Sequence, residues 1–272
     1  MVKIGSTWDS TTDVLSGRVG LLAPIAALAF LLPAAVQGAL VAYGGTSTGV
    51  AAANSLVSLL TVVLVLWGQL AIIAVASDPA TTRSQANAAA VRSLPRAVLV
   101  TVVLLAIALV AILPIAAVLL ASGYDFRAAA SPGGSSGAPA IPPGASLFIV
   151  FYGLLLLIAA LWIGARLFLV NAVVLNERRG IGALPRSIQL TRGLTLKLIG
   201  VVLLFLIVYL VAALAVQSVF LIVLRLVLGA TQIATATWLA TVAGAVVGAI
   251  FNTVVAVFAA RLYAAVTTSS PR

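Results

Sequence analysis

Long apolar runs recur along the chain between residues 19 and 265, and they constrain the fold more than any other feature. Each run is long enough to cross a hydrocarbon core about 30 Å thick as a helix. Backbone inside lipid must satisfy its own polar groups, so only helices and closed barrels span a bilayer. Barrel strands alternate apolar and polar residues, whereas runs such as 98–120 are continuously apolar. The runs therefore predict helices.

We predict an all-α membrane protein with about six transmembrane helices in a single polytopic domain that covers residues 1–272. The fifth apolar stretch continues to about residue 230, so its helix must tilt, break or project beyond the bilayer. A long outer loop at 122–146 is rich in Gly, Pro and Ser, which favours a flexible linker over a binding loop. The predicted spans lie near 19–42, 55–77, 97–121, 146–175, 198–222 and 235–265.

The composition supports this class and narrows the partners. Hydrophobic residues make up 63% of the chain and charged residues only 7%, far from the roughly 25% charge of soluble domains. The formal net charge is +10, which would also suit a nucleic-acid-binding protein. The basic residues, however, stand in short clusters beside apolar runs, where anionic lipid headgroups meet them. We therefore expect contact with the lipid bilayer and not with nucleic acid.

The basic residues also predict the orientation of the spans. Basic residues collect in cytoplasmic loops, so the side that holds most of them is predicted to be cytoplasmic. Both termini then lie in the cytoplasm, together with the loop between spans two and three and the loop between spans four and five. Of the 15 basic residues, 12 fall on this side: Lys3, Arg18, Arg83, Arg92, Arg96, Arg178, Arg179, Arg186, Arg192, Lys197, Arg261 and Arg272.

A threefold internal pattern accompanies these basic segments. Residues 10–20, 87–97 and 186–196 align without gaps, each with an aliphatic residue at the fifth position and each running into an apolar stretch. The match predicts a repeat of three units, each a short interfacial cytoplasmic helix followed by a helical hairpin. The predicted short helices are either contact surfaces for lipid or a partner, or simple connections at the membrane surface. The second interpretation is favoured.

Two neighbouring segments resemble a known family. The segments read Arg166-Leu-Phe-Leu-Val-Asn-Ala-Val-Val-Leu-Asn-Glu177 and Ala183-Leu-Pro-Arg-Ser-Ile-Gln-Leu-Thr-Arg-Gly193. They resemble the membrane domain that some bacteria fuse to glycerophosphoryl diester phosphodiesterase, a family with stand-alone members of unknown function. The positions that carry the resemblance are Arg166, Glu177, Arg186, Ser187, Leu190, Thr191, Arg192 and Gly193, with further similarity at 4–8 and 262–263. Ala172 departs from the pattern, which has Pro there. The resemblance implies a bacterial inner-membrane location but no catalytic role.

The residue inventory argues against an enzyme. The chain has no His and no Cys, so the main residues for acid–base, zinc-ligand and thiol chemistry are missing. The five acidic residues lie outside the centres of the spans, which also argues against a proton- or sodium-coupled transporter. We expect no catalytic residues, no cofactor and no bound metal.

Polar residues inside or beside the spans are the candidate functional residues. Arg166 lies within the fourth run and is predicted either to bind an anionic headgroup or pair with Glu177, or to reach the interface by snorkelling. Arg186, Arg192 and Lys197 are further candidate contacts for a headgroup or partner. Small residues at Gly244 and Gly248, followed one turn later by Asn252, form a stripe that predicts close helix packing, internal or between copies.

The sequence thus predicts a non-catalytic, multi-pass protein of the bacterial inner membrane. Its basic cytoplasmic face is predicted to organise anionic lipid or a protein partner. The alternative is a transporter or lipid-translocating protein with a polar path near Arg166, Asn171 and Asn252.

Overall fold

The computed structural model describes residues 4–45, 47–124 and 141–269, and within these ranges it contains helices and no strand. A five-residue π-helical turn, Ala27–Leu31, joins the first two helices, and a short 3₁₀ turn, Ala230–Gln232, precedes the last. The α-helices are α1 (Ile4–Ala26), α2 (Leu32–Tyr43), α3 (Thr48–Ser77), α4 (Arg83–Ala121), α5 (Pro143–Arg166), α6 (Val170–Asn176), α7 (Ala183–Leu190), α8 (Thr195–Leu228) and α9 (Ile233–Ser269).

Six helical segments are long and apolar enough to cross a membrane, which confirms the predicted fold class of an all-α membrane protein. They are longer than a bilayer requires. The 39 residues of α4, for example, extend about 58 Å at 1.5 Å per residue. The fifth apolar stretch is one uninterrupted helix to Leu228, where Gly229 ends it with a φ of 76°. Most of the predicted loop at 122–146 lies outside the described residues, but its end already belongs to α5, which begins at Pro143.

The predicted fourth span, near 146–175, falls within the helical segment Pro143–Asn176, which is long and apolar enough to cross a membrane. This segment is irregular, because α5 ends at Arg166 and the chain turns through Leu167–Leu169 before α6 begins. Apolarity does not change across this point, so hydropathy could not locate the break. The short helix α6 is buried along most of its length and packs against α3, α4, α7 and α9.

The three predicted interfacial segments take three different forms. The first is a helix at the start of α1, and a kink at Arg18 (φ −131°, ψ 19°) separates it from the apolar part of α1. The second is continuous with α4, which begins at a capping box between Thr82 and Gln85. The third, α7, is a helix of its own. The three aligned segments therefore do not share one backbone conformation.

The buried core lies at one end of the bundle, which we call the basic end. This end contains α6, α7, the last turns of α3 and the first turns of α4. The long helix α9 packs against α1, α2, α3 and α8 and so crosses the centre. Toward the far end, the most apolar stretches of α4, α5 and α8 contain no buried residue. The side chains of these stretches are exposed, and exposed apolar side chains on a membrane-spanning helix are expected to face lipid.

The π-helical turn sits where α1 and α3 approach most closely. Pro33 lacks an N–H, and its ring would clash with the carbonyl of Ala29 in a regular helix, so a wider turn relieves the clash. Ala29 is fully buried there and faces Gly68 of α3. A Cβ added to Gly68 would overlap the Cβ of Ala29. The absence of a side chain at position 68 is therefore required by this crossing.

We expect Gly68→Ala to destabilise the protein by about 1–3 kcal/mol, because the methyl group forces α1 and α3 apart. The matched control is Gly153→Ala in α5, where an added Cβ meets nothing within 4 Å. Thermal unfolding of both variants in the same membrane mimetic measures the difference. Equal stability of the two would contradict the close approach at Gly68.

Candidate functional site

The break after Arg166 is closed by hydroxyl groups from α7. Ser187 Oγ donates to the carbonyl oxygen of Arg166 over 2.9 Å, and Thr191 Oγ1 lies 3.1 Å from the same oxygen. Both residues are fully buried. Thr191 Oγ1 also lies 2.9 Å from the carbonyl oxygen of Ser187, and its single proton serves one acceptor at a time. These contacts fix α7 against the end of α5.

The Arg166 side chain makes no ion pair with a carboxylate of the described residues. Its guanidinium carbon lies 4.8 Å above the ring centre of Trp162, one turn earlier on α5, in a cation–π contact. Its Nε is buried and has no hydrogen-bond partner among the described residues. Arg166 is the last residue of α5 and lies within the helical segment Pro143–Asn176 that is long and apolar enough to span a membrane.

Glu177 is the centre of an ion cluster that fastens α6 to α7 and α9. Its carboxylate accepts from Arg179 Nε over 2.9 Å and from Arg186 Nε over 3.0 Å. Tyr263 Oη of α9 donates to the same carboxylate over 3.2 Å. The Glu177 side chain is 17% exposed and Arg179 is 55% exposed, so the Arg186 contact is the better shielded of the two. The structure thus gives Glu177 and Arg186 partners within the fold.

The polar residues of the alternative pathway have separate partners. Asn171 on α6 donates to Gln69 Oε1 on α3 over 2.7 Å. Asn252 is exposed and donates to the carbonyl of Gly248 in its own helix over 2.9 Å. Arg166 lies over Trp162, as described above. Within the described residues, therefore, no hydrogen bond links any two of Arg166, Asn171 and Asn252.

The small-residue stripe of α9 faces α8. A Cβ added at Gly244 would lie 3.7 Å from Gln217 Cβ, and one at Gly248 would lie 3.6 Å from Tyr209 Oη. Both distances are ordinary van der Waals contacts, so the glycines allow α8 to approach without being strictly required. The stripe at Gly244 and Gly248 therefore lies in an internal helix contact, while Asn252, one turn later, is exposed.

Two of the predicted contact residues are exposed and without an ion pair. Arg192 lies in the turn between α7 and α8, and Lys197 lies in the first turn of α8. The salt bridges of the described residues both involve Glu177, so neither cation is neutralised within the fold. Of the predicted set, Arg192 and Lys197 are the residues available to an external anion.

The basic end also contains a polar pocket of about 820 Å³. The end of α3, the first turns of α4 and the segment after α6 form its walls. Arg92, Arg96 and Arg178 line it, and all three are exposed without a salt bridge in the described part of the chain. Asp78 is the single carboxylate in its lining.

Sequence reasoning used these three arginines for orientation and missed their common pocket. One signal was available: Arg92 and Arg96 are four residues apart, a spacing that places both on one face of a helix. Arg178 could not be added from sequence, because its position depends on the break after Arg166 and on the packing of α6 against α3 and α4.

The fold and the basic end define a class: a multi-pass helical membrane protein with a concentrated cationic face. No family model matches the chain, and no curated protein or solved structure matches it either. The resemblance to the phosphodiesterase membrane-domain family stays a prediction.

Removal of the two hydroxyl groups at the Arg166 carbonyl, one at a time, should lower stability by different amounts. Ser187→Ala should destabilise the protein by about 1–3 kcal/mol, because it removes the donor committed to a buried carbonyl. Thr191→Val keeps the shape and should cost less, since Ser187 still satisfies the carbonyl. The double variant should cost more than the sum of the two. Chemical or thermal unfolding in one membrane mimetic measures this, and strict additivity would contradict the shared acceptor.

Proposed function

We propose that this protein is a non-catalytic membrane protein that organises anionic lipid or a protein partner through its basic end. The observation that carries the proposal is a group of exposed cations there without an acidic partner in the described residues, which includes Arg92, Arg96, Arg178, Arg192 and Lys197. Cations beside a membrane attract anionic headgroups by about 1 kcal/mol each. The chain also has no His and no Cys, which supports a role other than catalysis.

A transport or lipid-translocating function has weaker support. It needs a continuous polar path, and the polar side chains of Arg166, Asn171 and Asn252 have separate partners. The Asn171–Gln69 hydrogen bond is better explained as a tie between α6 and α3, two elements of the same core.

We place the protein in a bacterial inner membrane with both termini in the cytoplasm. The location rests on the family resemblance, and the orientation rests on the excess of basic residues on one side. Under this proposal the basic end and its pocket face the cytoplasm.

The orientation can be tested with introduced cysteines, because the chain has none of its own. A membrane-impermeant maleimide should label Gly49→Cys, at the exposed start of α3, on intact bacterial cells. Arg192→Cys should react only after the membrane is permeabilised. The reverse pattern would place the basic end outside and contradict the proposed orientation.

The function is tested by purification from native membranes in polymer-bounded nanodiscs, with lipids and proteins identified by mass spectrometry. We expect enrichment of an anionic lipid or of one stoichiometric protein. Neutralising Arg92, Arg96, Arg178, Arg192 and Lys197 together with Gln should abolish it. The matched control is Arg225→Gln, an exposed cation at the far end of α8. Absence of any enrichment, or equal loss in the control, would reject the proposal.

A further inference from the structure

We propose that the pocket between α3, α4 and Arg178 is a binding site for a phosphate group, carried by a lipid headgroup or by a small soluble phosphate compound. This proposal rests on the proposed function. It adds to it a defined site at the basic end and a class of ligand. The pocket volume of about 820 Å³ falls within the usual range for small-molecule sites, roughly 300–1,000 Å³.

One face of α4 forms a wall of the pocket. Gln85, Ala88, Ala89, Arg92, Ser93 and Arg96 all line it, and their spacing of three and four residues places them on one side of the helix. The small side chains of Ala88 and Ala89 leave space in the middle of this wall. Arg92 and Arg96 stand one turn apart at its end, so their guanidinium groups share access to one bound group.

The electrostatics of the pocket favour an anion. Three arginines line it against one carboxylate, Asp78. That carboxylate already accepts the backbone N–H of Ala80 over 2.8 Å and makes no salt bridge with the arginines. Arginine presents a planar fork of N–H donors that matches the oxygens of phosphate. The unpaired charge is therefore of the kind that a phosphate neutralises.

Ser93 supplies an independent observation that points to a ligand. This residue is only 4% exposed, and its hydroxyl makes no hydrogen bond with the described residues. The residue lines the pocket, and its hydroxyl oxygen keeps some accessible surface there. An oxygen of a bound group in the pocket would satisfy it.

Arg178 is held in an unusual backbone conformation at the rim. Its φ is 52°, and it is the one non-glycine residue with a positive φ in the described part of the chain. Glycine or asparagine adopts this region at lower cost. Such strain is a pointer to function. Here it accompanies an arginine at the rim of a cationic pocket.

The pocket walls lie at the ends of two apolar runs. Arg96 directly precedes the apolar run that begins at Ala97, and Ser77 directly follows the apolar part of α3. The ends of apolar spans are where headgroup phosphates meet a protein, so this position suits a phosphate on a lipid as well as one on a soluble compound.

Retention of phosphate ligands tests the site. The full-length protein is placed in phosphatidylcholine nanodiscs with a minor fraction of phosphatidic acid, and retained lipid is measured by native mass spectrometry. A second arm uses phosphatidylcholine alone and titrates glycerol 3-phosphate. The variants are Arg92→Gln with Arg96→Gln, Ser93→Ala, and Arg178→Gly. The matched control is Arg192→Gln with Lys197→Gln, two exposed cations of the same end that do not line the pocket.

We expect the Arg92/Arg96 variant to lower the affinity for one probe at least tenfold, and Ser93→Ala to lower it several-fold without loss of thermal stability. Arg178→Gly should also lower affinity while leaving the protein at least as stable, because glycine relieves the backbone strain. The control should bind within about twofold of the wild type.

The two binding experiments distinguish a lipid phosphate from a soluble phosphate compound, and they distinguish failure of the pocket from failure of the proposed function. Loss confined to phosphatidic acid assigns the site to a lipid headgroup, whereas loss confined to glycerol 3-phosphate assigns it to a soluble ligand. Equal loss in pocket and control variants overturns the pocket but leaves the cationic face of the proposed function. Unchanged binding in all three pocket variants also overturns the pocket. If neither probe binds the wild type, the phosphate site is rejected, and native enrichment of a protein would still support the proposed function.

Discussion

The carbonyl oxygen of Arg166 is the constraint on which the basic end depends. A helix that stops near a membrane leaves carbonyl groups without partners, and little water is present to satisfy them. Ser187 and Thr191 on α7 reach this oxygen, so the break in the fourth span is possible only if α7 lies against it. The break in turn frees α6 to enter the core between α3 and α4. These contacts of α6 and α7 determine the position of Arg178, which lines the polar pocket.

The charged residues near the break have divided roles. Glu177 is occupied by Arg179, Arg186 and Tyr263, so this cluster holds the short helices in place. Arg92, Arg96 and Arg178 have no such partner in the described residues, and they surround a cavity instead. The protein thus uses the carboxylate of Glu177 for structure and leaves a group of cations uncompensated among the described residues. An uncompensated group at a membrane surface is the physical basis of the function proposed above.

Sequence reasoning reached the class of fold because long apolar runs leave few alternatives. It does not reach local backbone events. Residues 167–176 are apolar apart from Asn171 and Asn176, so hydropathy could not show that α5 ends at Arg166. The candidate residues Glu177 and Arg186 were found from sequence, but their mutual contact was not. The four-residue spacing of Arg92 and Arg96 predicts that they share one face of a helix. The position of Arg178 beside them and the burial of Ser93 depend on tertiary packing, which cannot be predicted from one sequence.

The uneven core has a mechanical consequence. Helices α4, α5 and α8 are fastened at the basic end and carry no buried residue in their most apolar stretches toward the far end. They are still joined to their neighbours there, since α8 packs along α9 and Tyr152 of α5 donates a hydrogen bond to the Ala111 carbonyl of α4. Bilayer thickness and lateral pressure would act on the exposed sides of these stretches and favour a change of tilt. Forces in the hydrocarbon layer would therefore reach the turns of α4 that form the pocket.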